Sequence, residues 1–141
     1  MSEFTIEVCD SSNIETIVDG INRYNLSKVP ALSNVWTELN FVIKNKDYVE
    51  IAGVLGGIGY WNGLEIKIIW VDENYRLQGL GTRLLKHIEM LAKAKGANVS
   101  MLDTFDFQAE KFYIKNGYEV IGEIKDFPKG HKRIYFSKKL N

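Results

Sequence analysis

Very little in this chain would break a fold or staple one. It carries two prolines, Pro30 and Pro128, and one cysteine, Cys9, in 141 residues. A single cysteine closes no internal disulfide, and without Cys or His partners at metal spacing it anchors no zinc site, so it reads as a small strand residue and no metal is expected. Neither sign of charge dominates: Lys plus Arg number 18 and Asp plus Glu number 18. That balance argues against nucleic acid or an anionic membrane as a charge-recruited partner. No run approaches the roughly 18 apolar residues of a membrane span, and residues 1–7 show no basic region leading into an apolar one. A cytoplasmic location is therefore expected.

Linkers, repeats and low-complexity tracts are missing too, so residues 1–141 are expected to form a single domain, at the usual domain length of roughly 100–150 residues. The hydrophobic share of 45% is enough to build a core. Residues 4–8 alternate apolar and polar as a half-buried strand does, and Ile14, Ile17, Val18 and Ile21 then recur at helical spacing, with Asp10, Ser11 or Ser12 as the cap. Residues 24–33 are irregular, with room for a second short helix. Strand-like runs follow over 39–43, 48–60 and 64–71, and Asn62-Gly63 signals a hairpin turn because both residues tolerate positive φ. Leu80, Leu84, Ile88 and Leu91 mark a long amphipathic helix, with Glu89 and Lys93 spaced to pair and Gly96 placed to stop it. Residues 99–104 read as a strand, 107–115 as a helix, and 118–124 and 133–138 as strands. The fold class is α/β (α+β), a mixed, mostly antiparallel sheet of about seven strands flanked by roughly three to four helices.

The most informative segment runs from Ile66 to Leu85, where a buried strand turns and feeds a helix through Gly79-Leu-Gly81. Two glycines at a helix start allow close backbone approach and leave free N–H groups at the positive end of the helix dipole, which suits a phosphate. Neither the dinucleotide fingerprint nor the nucleoside triphosphate loop fits, since no third glycine and no Gly-Lys-Ser/Thr is present. The other cluster, Gly53-Val-Leu-Gly-Gly-Ile-Gly59, has no helix behind it and reads as a strand with bulges or close packing.

Val71-Asp72 followed by Arg76-Leu-Gln78-Gly79-Leu-Gly81-Thr82 resembles the coenzyme A motif of the GNAT family of N-acetyltransferases. Asp106-Phe-Gln-Ala109-Glu-Lys-Phe112-Tyr113-Ile-Lys-Asn-Gly117-Tyr118 is similar to that family's later motif, with Asp106 where asparagine is usual. The resemblance implies a GNAT-like fold and direct acetyl transfer from acetyl-CoA, the co-substrate, to a primary amine on a small molecule or a peptide. It implies that backbone amides from Leu77 through Gln78, Gly79, Leu80 and Gly81 to Thr82 grip the pyrophosphate, with Arg76, Asp106, Ala109 and Phe112 also on the cofactor side. A backbone N–H at Ile69 or Trp70, on the strand ending at Val71, would meet the carbonyl oxygen. Tyr113 would protonate the departing thiolate, with Phe112 as the better core candidate of the two. Asp106 would still serve as a helix cap. Glu65 lies on the strand that supplies the base in the histone-acetylating branch of the family; Asp103, Glu38 or water alone are alternatives. His131 and Tyr135, on the last turn and strand, are within reach of an acceptor or are turn and strand-face residues. A second reading is a non-catalytic acyl-CoA-binding or regulatory module of the same fold. Oligomeric state stays open, a homodimer through sheet edges being one option.

Overall fold

Asp10 decides where the first helix begins. Its carboxylate accepts the N–H of Asn13 at 2.8 Å while the Asn13 side chain accepts the N–H of Asp10 at 3.0 Å, a reciprocal cap on two helix-end donors. The structure, a computed structural model, describes residues 3–33 and 36–141. The chain forms two compact units, Met1–Ala31 and Leu32–Asn141. In the first, α1 spans Ser11–Lys28 as one unbroken helix. The expected second helix in 24–33 is absent because nothing breaks α1 until Val29, which is extended before Pro30 as a residue preceding proline prefers. Residues 4–8 form no strand: alternation marks a face, but a strand also needs a ladder partner.

The second unit is built on an open sheet. Its strands are β1 (Thr37–Glu38), β2 (Phe41–Lys44), β3 (Glu50–Ile58), β4 (Gly63–Val71), β5 (Val99–Phe105), β6 (Glu119–Lys125) and β7 (Lys132–Lys139). Their order is β1-β3-β4-β5-β7-β6, with β2 also paired to β3, and only β4 and β5 are parallel. The hairpin between β3 and β4 uses the predicted turn in part, for Asn62 adopts φ 58° while Gly63 already belongs to β4.

Helix α2 (Leu80–Ala94) supplies the β4-to-β5 crossover that a parallel pair requires. It buries Leu84, Leu85, Ile88 and Ala92 in one cluster with Ala52, Val54, Leu64, Ile66, Leu102, Ile134 and Phe136 of the sheet. Each fully buried Val, Leu, Ile or Phe among them contributes roughly 1.5–3 kcal/mol. Gly56 shows why β3 is glycine-rich. A β-carbon there would stand 2.7 Å from the Glu65 carbonyl oxygen and 3.0 Å from Cδ1 of Ile88, so only glycine lets α2 and β4 come this close. Glu89 does not pair with Lys93. Its two oxygens go instead to the Tyr118 hydroxyl at 2.7 Å and the Lys138 ammonium at 2.9 Å, which the fold brings closer than the helix repeat. Helix α3 is short, Glu110–Lys115. Among the described residues no helix is long and apolar enough to cross a membrane.

Two irregularities shape the centre of the sheet. Leu55 pairs with Ile68 and Gly56 with Ile66, so Lys67 is an extra residue that kinks β4. Pairing between β4 and β5 covers only Gly63 to Glu65 against Val99 to Met101. Beyond Glu65 and Met101 the ladder ends and the two strands part.

Candidate active site

The segment leaving β4 is braced before it turns. The Asp72 N–H bonds Ile51 O at 2.8 Å, the Asp72 carboxylate accepts the Asn74 N–H at 2.9 Å, and Glu73–Tyr75 make a single 3-10 turn. Arg76 Nε reaches back to Val71 O at 3.2 Å and ties the turn to the strand end. Two left-handed residues then aim the backbone, Leu77 at φ 64° and Gly79 at φ 79°. For Leu77 that conformation costs about 1–2 kcal/mol, and its fully exposed side chain offers no packing in return.

Gly79 caps α2 without any side-chain bond, and Arg83 is the first residue whose N–H closes onto the helix, to Gly79 O at 3.0 Å. The N–H groups of Leu80, Gly81 and Thr82 are therefore left without intrahelical acceptors at the positive end of a 15-residue helix. The space beside Gly79 is open, with nothing within 4 Å of where a β-carbon would sit. Donors, dipole and clearance together are what an anion at a helix N-terminus requires.

Strand alternation decides which backbone groups of β4 face the splay. Asp72 donates toward β3, so Trp70, two residues earlier and opposite Gly53, turns its N–H the same way. Ile69 and Val71 turn theirs to the other side, and the Val71 carbonyl meets Arg76 there. Of the two candidates for a carbonyl-polarising donor, Ile69 has the suitable direction, facing where β5 has moved away, and Trp70 does not. Trp70 contributes a half-exposed indole instead.

Helix α3 faces the same region. Its N-cap is Ala109, with no side-chain cap, so Asp106 does not cap it. The Asp106 carboxylate is spent on the Lys132 N–H at 3.2 Å and on His131 Nδ1 at 3.0 Å, which hold the β6–β7 turn against the end of β5. The expected burial of Phe112 and Tyr113 is exchanged. Phe112 is only partly buried, with its ring against the start of α2 at Gly81, whereas Tyr113 is 6% exposed and packs on Phe112, Tyr118 and Phe136. Ala109, Phe112, Ile69, Val71 and Leu80 all lean on the core from this side.

The Tyr113 hydroxyl has no hydrogen bond among the described residues, yet no side-chain polar atom there is both sealed and unpartnered. The hydroxyl therefore keeps an opening. Burial, and secondarily the Asp103 charge, push its pKa up to about 12, so it stays protonated through the neutral range.

Glu65 is exposed at the last position where β4 pairs with β5. It lines a cleft of about 270 Å³ with Lys67, Met101, Asp103 and Arg133. Arg133 carried no signal in the sequence beyond a basic terminal strand; its place follows from β7 pairing with β5, which sets it opposite Phe105.

Comparison with known proteins agrees with this geometry. An acetyltransferase (GNAT) domain model matches residues 36–120. The blasticidin-S acetyltransferase of Streptomyces morookaense is 40% identical over 82 residues, 57% of this chain, and the match spans only 60% of that protein. Acetyltransferase Atu2258 of Agrobacterium fabrum is 26% identical over 95% of this chain and 96% of its own. The crystal structure of an acetyltransferase from Bacillus cereus superposes with a TM-score of 0.90 at 37% identity over 99% of both chains. Because the family model matches residues 36–120, more than half of the chain, this chain belongs to the GNAT acetyltransferase family.

Proposed function

We propose that the protein transfers an acetyl group from acetyl-CoA directly to a primary amine of a small molecule. The observation that carries this reading is the conjunction of the anion-binding turn at 77–82 with the splay between β4 and β5, which join at Val71. The pyrophosphate would lie on the N–H groups of Leu80, Gly81 and Thr82. The thioester would reach into the splay, its carbonyl oxygen against the Ile69 N–H, which stabilises the negative charge formed on attack.

The amine must lose a proton to become nucleophilic. Glu65 is the proposed acceptor, directly or through water. The nitrogen then bonds to the thioester carbon, the tetrahedral oxyanion collapses, the C–S bond breaks, Tyr113 gives its proton to the departing thiolate, and the nitrogen loses its second proton, which returns through water to the tyrosine. The products are an acetamide and free coenzyme A. A hydroxyl held protonated and open suits that donor role. The relative named for blasticidin S supports a small-molecule acceptor over a protein one.

The test is acetyl-CoA binding together with thiol release over a panel of amines. Amine-dependent release supports transfer. Binding without release for any amine supports the alternative, a non-catalytic acyl-CoA-binding or regulatory module.

A further inference from the structure

Arg133 places both of its contacts to Asp103 on one oxygen: Nε lies 2.9 Å and Nη2 lies 2.8 Å from Oδ1. Oδ2 is left without a partner among the described residues, and the Asp103 side chain is 34% exposed, on the wall of the cleft that also holds Glu65. The guanidinium itself is fixed. It lies over the rings of Phe105, Phe127 and Tyr135, at 5.7, 5.3 and 5.5 Å from their centroids. A planar cation held by rings and a carboxylate has little freedom to leave, so the Asp103 carboxylate is held in one orientation.

An aromatic ledge continues from this carboxylate. Phe105 follows Asp103 by two residues on β5, so both project from the sheet face opposite the one where Leu102 and Thr104 are buried. Phe107 stacks flat on Phe105, with centroids 5.3 Å apart and planes 2° apart, and Phe127 lies 6.0 Å from Phe105. Phe107 and Phe127 are 57% and 44% exposed. A half-exposed ion pair adds little to stability, and large rings left side by side in solvent mark a contact surface. The Asp103 charge also reaches Tyr113, since it contributes to that hydroxyl's raised pKa.

We propose that Asp103, oriented by Arg133, anchors the ammonium of the acceptor through Oδ2, and that Phe105, Phe107 and Phe127 receive a flat, delocalised group carried next to that amine. The acceptor class is thus cationic amines bearing a planar ring. This rests on the acetyl-transfer reading for its purpose, but the binding it describes stands apart from turnover. Asp103 selects and places the amine; Glu65, across the same cleft, takes the proton; Arg133 is a positioning residue.

The experiment is a titration of isotope-labelled full-length protein with benzylamine, followed by NMR at the amides of Asp103, Phe105 and Phe107. Cyclohexylmethylamine serves as the non-planar control. Benzylamine should shift these signals and bind more tightly than the control. Asp103→Asn should weaken it by about tenfold or more, the loss expected for one charged hydrogen bond. Arg133→Lys should weaken it less, and Phe107→Ala should remove the preference for the planar amine. Because Phe107 is exposed, that variant keeps the test decisive if Asp103→Asn fails to fold. Shifts elsewhere or none, equal binding of the two amines, or unchanged binding by Asp103→Asn overturns the proposal. Calorimetry with acetyl-CoA separates the two readings: loss of acetyl-CoA binding beside intact benzylamine binding would sink the transfer reading and leave this site standing.

Discussion

The ring of Phe112 lies 3.2 Å from where a β-carbon would stand on Gly81, with Val71 Cγ2 at 3.8 Å on another side. Helix α3, the start of α2 and the end of β4 therefore meet at a point where only a hydrogen fits with ease. Gly79, two residues earlier, needs its glycine for another reason, a left-handed φ of 79° in open space.

Gly81→Ala should accordingly lower stability by about 1–3 kcal/mol, as overpacking does, and weaken acetyl-CoA binding. Trimming the ring should relieve it, so Gly81→Ala with Phe112→Leu should be more stable than the sum of the single changes allows. Urea denaturation of the four proteins of this cycle measures the coupling, and strict additivity would mean that the ring does not press on this turn.

Behind the site, the Tyr118 hydroxyl lies 2.8 Å from Ser100 Oγ and donates to Glu89 at 2.7 Å, joining β5 to α2. Burial pushes the Tyr118 pKa up, and Ser100 is fully buried. Tyr118→Phe strands a buried serine and should cost about 1–3 kcal/mol. Adding Ser100→Ala should cost little more, because the stranded hydroxyl is then gone. A double variant that loses as much again would show that the two hydroxyls act independently.

Tyr113→Phe should lower kcat on the order of 10²-fold, the low end for a lost general acid, with the KM for acetyl-CoA nearly unchanged. The same tyrosine predicts a behaviour in alkali. Its pKa rises from 10.0 to about 12 on folding, so between those values the unfolded chain releases a proton that the folded one keeps. Stability from this group is complete below pH 10 and is lost as pH rises toward 12. Thermal melts across that window should fall less steeply for Tyr113→Phe than for the parent. Parallel curves would place the hydroxyl in a wetter setting than its packing implies.

Much of this was legible in the residues, for local reasons. The α2 stripe, Gly96 as its stop and the Gly79-Leu-Gly81 turn depend on neighbours in sequence, and each appears where periodicity put it. What was not legible depends on tertiary placement. Burial of Tyr113 rather than Phe112 follows from the missing β-carbon at Gly81, a contact between segments some thirty positions apart. Asp106 was free in the sequence to cap α3, but β7 arrives beside it and takes the carboxylate. The choice of Ile69 over Trp70 needed the β3 register, and the pairing of Arg133 with Asp103 needed β5 and β7 to be neighbours. Residues 4–8 had a strand's pattern without a strand's partner.

The most direct measurement is amine-dependent release of coenzyme A thiol from acetyl-CoA by the parent protein and by Tyr113→Phe, with acetyl-CoA affinity measured on both. Equal affinity, release that requires an amine, and a loss of rate confined to the variant's turnover are expected. Saturable acetyl-CoA binding with no release for any amine, or no binding at all, would contradict acetyl transfer by this protein.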